Sequence, residues 1–282
     1  MKKILLSFLI TVTASCCAFA FELSDTHTHN SAFWKNSSAL VFNPAYGFTF
    51  GPEFDIIQHR KFDNDIYAFR LPITINPEQY DIMLKPFWYP DNANGAKAFG
   101  GKVLVATGET VDDIDQNSSR AYVGAGFAAQ KADVLRDGTV TPQKYFYQTA
   151  YEAGMDYNYF GQYSFDVNGN IYQYLSGISG VDDVKGVMNQ QEIADLGTTD
   201  YLFDLPKGSA GLKIRWYSPV NKSENYISYR YIGFYNASAA HSLLLGSSLS
   251  VISGVHFSLT YNHIFQHSRN RDIYGAGLTL GF

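Results

Sequence analysis

The sequence predicts an all-β chain: a closed antiparallel transmembrane β-barrel of about twelve strands with up-and-down topology. Three observations lead there. Apolar and polar residues alternate with period two in runs of about ten residues, the length that carries a strand across a bilayer. Charged residues make up only 17% and aromatics 16%, with 21 Tyr and 21 Phe against 3 Trp. No apolar run long enough for a helical span lies beyond the N-terminus. Crossing then rests on strands, and the barrel must close so that every backbone N–H and C=O is paired.

Residues 1–20 read as a secretory signal, cleaved to start the mature chain at Phe21. Lys2 and Lys3 supply the positive region, residues 4–14 the apolar one, and Ala18-Phe19-Ala20 the cleavage site. Cys16 and Cys17 leave with it, so the mature chain carries no cysteine. Loss of Lys2 and Lys3 leaves 19 basic against 26 acidic residues, a net charge of -7. That balance, with no basic patch, excludes nucleic acid as a partner. Residues 21–44 show no sustained alternation and read as a mobile N-terminal segment. The barrel is expected over 45–282.

Within it the strands fall at 45–58, 65–76, 79–89, 99–109, 119–130, 143–166, 169–177, 208–218, 225–235, 240–251, 256–266 and 272–282. The longest alternation puts Tyr145, Tyr147, Tyr151, Met155 and Tyr159 on one face and Gln148, Glu152 and Asp156 on the other. With both termini in the periplasm, the turns near 76–78, 110–118, Asn168-Gly169, 219–224 and 252–255 are periplasmic. Asn168-Gly169 has the composition of a type I′ hairpin. The external connections include 90–98, 131–142 and the long loop 178–207. In that loop Asn189, Glu192 and Gly197 give the cap pattern of a short helix over 190–196.

The chain ends Tyr274-Gly275-Ala276-Gly277-Leu278-Thr279-Leu280-Gly281-Phe282. A terminal Phe preceded by apolar residues at alternate positions resembles the C-terminal strand signal of bacterial outer-membrane barrels. The resemblance implies an assembly signal at Tyr274, Leu278, Leu280 and Phe282, the barrel-assembly machinery and outer-membrane lipids as partners, and the outer membrane as location. Length, twelve strands, Phe50-Gly51-Pro52 and Tyr231-Ile232-Gly233-Phe234 look similar to the nucleoside-specific outer-membrane channel family.

Three motifs suggest chemistry, and each has a simpler account. Asp25-Thr26-His27-Thr28-His29 looks like the metal-binding start of metal-dependent hydrolases, but no apolar strand precedes it and few other His exist to complete a site. His256-Phe257-Ser258 has the His-x-Ser spacing of outer-membrane phospholipases and lipid A deacylases, but Phe257, Leu259 and Tyr261 claim the lipid face and turn the pair inward. Asp166 to Asn170 lacks the glycine and the final glutamate of a calcium loop. No cofactor, metal site or catalytic residue is expected.

The chemistry is expected in the lumen. Arg70, Asp81, Lys85, Glu152, Asp156, Lys213, Arg215 and Arg230 all fall on the polar face of their strands. They either fill the barrel with ion pairs or select solutes at a charged constriction. The expected function is a narrow passive channel for a small hydrophilic solute. The alternatives are an outer-membrane lipid hydrolase and a non-conducting surface or adhesion barrel.

Overall fold

The structure is a computed structural model that describes residues 20–30, 33–59, 65–77, 80–90, 97–107, 110–112, 117–136, 139–175, 181–185, 205–219, 222–235, 237–267 and 270–282. The signal segment 1–19 and the expected helix at 190–196 lie outside them. One antiparallel sheet closes on itself as a barrel of fourteen strands. They are β1 (Ala20–His29), β2 (Phe33–Ala45), β3 (Phe48–Phe50 and Glu53–His59), β4 (Ile66–Arg70 and Ile73–Ile75), β5 (Tyr80–Tyr89), β6 (Lys97–Thr107), β7 (Asn117–Arg136), β8 (Thr139–Tyr159), β9 (Tyr163–Tyr174), β10 (Pro206–Ser218), β11 (Ser223–Phe234), β12 (Ala240–Ile252), β13 (Val255–Phe265) and β14 (Arg271–Gly281). Each pairs with its neighbours in the chain, and β1 pairs with β14 from Glu22–Gly281 to His29–Tyr274.

The count corrects the expected twelve. The twelve expected strands correspond to β3–β14; the two further ones come from residues 20–45, of which 21–44 were expected to be mobile. Part of the likeness to nucleoside-specific channels rested on twelve strands and falls with that number. The cause lies in the outward rows. Phe21, Leu23, Asp25, His27 and His29 on β1, and Trp34, Asn36, Ser38, Leu40 and Phe42 on β2, mix polar and apolar groups. A polar outward row beside a polar inward row leaves no period-two signal.

One turn also moves. β9 runs straight through Asn168-Gly169, and the hairpin turns instead at Phe160-Gly161-Gln162. Phe160 and Gly161 have φ of 50° and 62°. Positive φ at two successive residues gives a hairpin turn its tight reversal, and glycine takes it without strain. A phenylalanine in the first position hides the turn from a composition-based reading.

From β4 to β14 the outward row is mainly apolar: Val103, Val123, Met155, Val167, Leu212, Leu245, Leu259 and Leu278 are all more than 40% exposed. Aromatics flank this band, with Trp88, Phe99, Tyr147 and Tyr231 towards one end and Tyr80, Tyr159, Tyr163 and Trp216 towards the other. An apolar belt between aromatic girdles is the exterior that a bilayer requires of a barrel. β7 and β8, of 20 and 21 residues, run well past that belt. The short strand Val181–Lys185, from the expected long loop, pairs with the β7 extension at Asp133–Arg136. Inside, Phe33, Ile57, Phe87, Tyr89, Tyr172, Ile232, Ile264 and Ile273 form a buried cluster towards the end away from the termini.

Leu245→Arg, on the outward row of β12, should cost about 2–4 kcal/mol, the price of a cation facing the bilayer midplane. Ser248→Arg, three residues on and facing inward, should cost far less. Reversible unfolding in lipid vesicles gives both numbers, and equal costs would contradict the facing of β12.

Candidate functional site: the barrel interior

The inward rows carry the charged groups. The glycines and alanines among them decide which charges meet. Lys102 on β6 reaches over β7 to Glu152 on β8, Nζ to Oε2 2.6 Å, with both side chains buried. A Cβ on Gly124, between them, would lie 2.9 Å from Glu152 Cγ. Likewise Arg120 on β7 forms an ion pair with Asp81 on β5, reaching over the buried Ala106 of β6. Tyr122 lies against Gly154, where a Cβ would stand 2.3 Å from its ring. A small residue on one strand thus lets long side chains of its neighbours lie along the wall rather than project across it.

A second cluster sits on β2–β4. The Asp55 carboxylate, fully buried, takes Lys35 Nζ at 2.7 Å and also pairs with Arg70, whose Nη1 reaches Glu53 at 3.3 Å. The two cations are joined through one carboxylate, so its loss takes the counter-charge from Lys35 and leaves the buried Arg70 with Glu53. Asp55→Asn should destabilise by about 3–5 kcal/mol, read from denaturant unfolding of the vesicle-embedded barrel. A neutral result would show this cluster to be fully hydrated.

Near the end that carries the termini, the interior opens into a cavity of about 370 Å³. Its basic lining is Arg120, Lys213, Arg215 and Arg230; its acidic lining is Asp156 and Asp166. Asp156 and Asp166 are direct cross-strand partners on β8 and β9, and Lys213 on β10 is the partner of Asp166. Like charges so placed repel, and the surrounding cations offset the repulsion. The Asp166 carboxylate also accepts from Tyr122 Oη at 3.2 Å and Asn168 Nδ2 at 2.6 Å. Lys213 Nζ sits 4.3 Å over the Tyr226 ring, a cation–π contact. Arg215 Nε donates to Ser164 Oγ at 2.9 Å. Among the described residues, Arg230 Nη1, Arg120 Nε and Asn168 Oδ1 have no hydrogen-bond partner. Arg215 also borders a second cavity of about 300 Å³ at the barrel mouth, lined by Gln162, Trp216, Tyr217 and Glu224.

The eight residues singled out from the sequence therefore divide. Asp156, Lys213, Arg215 and Arg230 come together at the cavity. Arg70, Asp81 and Glu152 are each taken by an opposite charge along the wall. Lys85 stands across from Lys102 on the β5–β6 pair. Basic and acidic groups are mixed within each wall. The sequence reading missed Asp55, Lys102, Arg120, Tyr122 and Asp166. The parity that places Glu152 inward on β8 places Arg120 and Tyr122 inward on β7.

The other motifs find plain places. His27 and His29 are on β1, facing outward. His256 and Ser258 lie on the inward row of β13, near the end that carries the termini. Asp166 and Asn168 are strand residues rather than part of a turn. Among the described residues no group of three or more His, Cys, Asp or Glu is placed to hold a metal.

No protein-family model matches the sequence, and comparison with curated proteins finds no match. Solved structures do match. CymD, a monoaromatic hydrocarbon channel, superposes with a TM-score of 0.52 at 10% identity, covering 94% of this chain and 88% of CymD. CdiB from Acinetobacter baumannii superposes with a TM-score of 0.53 at 8% identity, covering 94% of this chain and 60% of CdiB. A loop-deleted OmpT, an outer membrane protein of Vibrio cholerae, gives 0.47 at 10% identity over 94% and 98%. At such identities the likeness is one of fold. With its closed ladder and apolar belt, the fold is that of a bacterial outer-membrane β-barrel.

Proposed function

We propose that the chain is a passive outer-membrane channel for small hydrophilic solutes. The observation that carries this reading is the cavity of about 370 Å³ inside the barrel, whose lining includes four cations and two carboxylates. A barrel whose interior served only stability would fill it with packed side chains, as small barrels do, whereas larger barrels enclose cavities or channels. The buried cluster at the far end is built of hydrophobic residues and supplies no charge. Selection falls to the charged end, where Arg215 and Arg230 meet any solute held between the walls. Mixed signs within reach of one another, with Tyr122 and Tyr226 alongside, favour small zwitterionic or polar solutes with aromatic or sugar character over simple ions.

The lipid-hydrolase alternative loses its pair, because His256 and Ser258 face the interior rather than the lipid. In the same reading, the outward row Tyr274, Leu278, Leu280 and Phe282 serves as the assembly signal. Phe282 stacks on Phe21 at 4.9 Å, so it also forms the last contact of the closing seam.

The refolded chain should give discrete conductance steps in planar bilayers. Replacing Arg215 and Arg230 together by Ser removes two positive charges from the cavity and should move the reversal potential towards cation selectivity. A conducting double variant with unchanged reversal potential would refute the selectivity site, and a non-conducting wild type would refute the channel.

A further inference from the structure

The exterior breaks its own rule in one sector. On β1 and β2 the outward row at mid-height is polar. The Asp25 carboxylate faces outward and accepts from Asn36 Nδ2 at 3.0 Å and Ser38 Oγ at 3.1 Å. Asp25 lies four residues from one end of β1 and five from the other, which puts it roughly 10 Å inside the belt from either rim at ordinary strand rise and tilt. Above it His27 stacks on Trp34 at 5.8 Å. Past the β1–β14 seam, Leu278 and Ala276 face Asp25 and His27, and Asp272 lies near the rim beyond Tyr274, its Oδ1 2.6 Å from His263 Nδ1. These groups are all exposed or half-buried, and all on the outside.

Ionisable groups on a lipid-facing surface are costly, and where they occur they mark a face that meets something other than acyl chains. Two occupants fit such a face: lipid phosphate, or protein. The composition decides. Phosphate recognition calls for Lys or Arg, and no described residue of this outward strip is either; it holds the Asp25 carboxylate instead. The strip also reaches mid-height, below any headgroup. What it presents is imidazole and amide donors beside carboxylate acceptors, a set that is complementary to itself.

We propose that this strip is the surface on which a second copy of the chain packs within the membrane. Symmetric self-association brings the same patch from both copies together. The carboxylate and imidazole groups of one copy then find the imidazole, hydroxyl and carboxylate groups of the other, away from acyl chains. The strip borders the seam where β1 closes on β14, so packing there also covers the junction of the first and last strands. The proposal rests on the membrane placement above and not on conduction.

The chain lacking residues 1–20 has no cysteine, so a single introduced thiol reports one position. Ala276→Cys places it on the strip, opposite His27; Val123→Cys places it on β7, across the barrel. Oxidation in native membranes should link the first into a disulfide dimer and leave the second monomeric. Adding Asp25→Leu and His27→Leu to the Ala276→Cys chain should abolish the link while the barrel still migrates as a folded species in unheated gels. Linking of neither or both single variants would overturn the proposal, as would a link that survives the double Leu change. A monomer that retains phosphorylated glycolipid, and releases it on the double change, would assign the strip to lipid and overturn it equally.

Discussion

Everything in this molecule depends on the need to pair every backbone polar group of a sheet that sits in hydrocarbon. An open edge would leave a row of N–H and C=O groups with neither water nor a strand. The chain meets this by bringing its first strand against its last. Phe21 N–H donates to Phe282 C=O at 3.3 Å and Phe282 N–H to Phe21 C=O at 3.0 Å, and the ladder continues from there to His29 and Tyr274. Closure fixes the number of strands, and strand number sets the width of the interior. Width decides whether charged side chains must neutralise each other across a filled core or can line a cavity.

The interior shows both outcomes at different heights. Where glycine or alanine separates two charged rows, as at Gly124 and Ala106, the charges join in ion pairs along the wall. Near the end that carries the termini, Asp156 and Asp166 oppose one another and leave Arg215 and Arg230 bordering open space. The same backbone register that positions Glu152 against Lys102 places Asp156, four residues on and on the same face, at the cavity. Stability and selection therefore draw on one inward row, read at two depths.

Much of this was legible in the sequence. Twelve of the fourteen strands were visible because their outward rows are apolar and their inward rows polar, and Glu152, Asp156, Lys213, Arg215 and Arg230 followed from parity alone. What was hidden was hidden for physical reasons. β1 and β2 carry Asp25, His27, Asn36 and Ser38 where lipid-facing residues are expected, so alternation vanishes over residues 20–45. The turn at Phe160-Gly161 lacks the usual residue at its first position, while Asn168-Gly169 has turn composition but lies within a strand that its neighbours hold extended. Which charges pair was not legible, because it depends on a small residue on the strand between them. The two strands hardest to read are also those whose outward face departs from the lipid-facing rule, and one cause explains both: that face is built to meet something other than lipid.

The central claim is that residues 20–30 form the strand that closes the barrel. Amide hydrogen exchange of the chain folded in lipid tests this most directly. Residues 21–29 should be protected to the same degree as 272–281, because the two segments share one hydrogen-bonded ladder. Exchange of 21–29 at the rate of a free tail, with 272–281 still protected, would contradict the account and return the barrel to twelve strands.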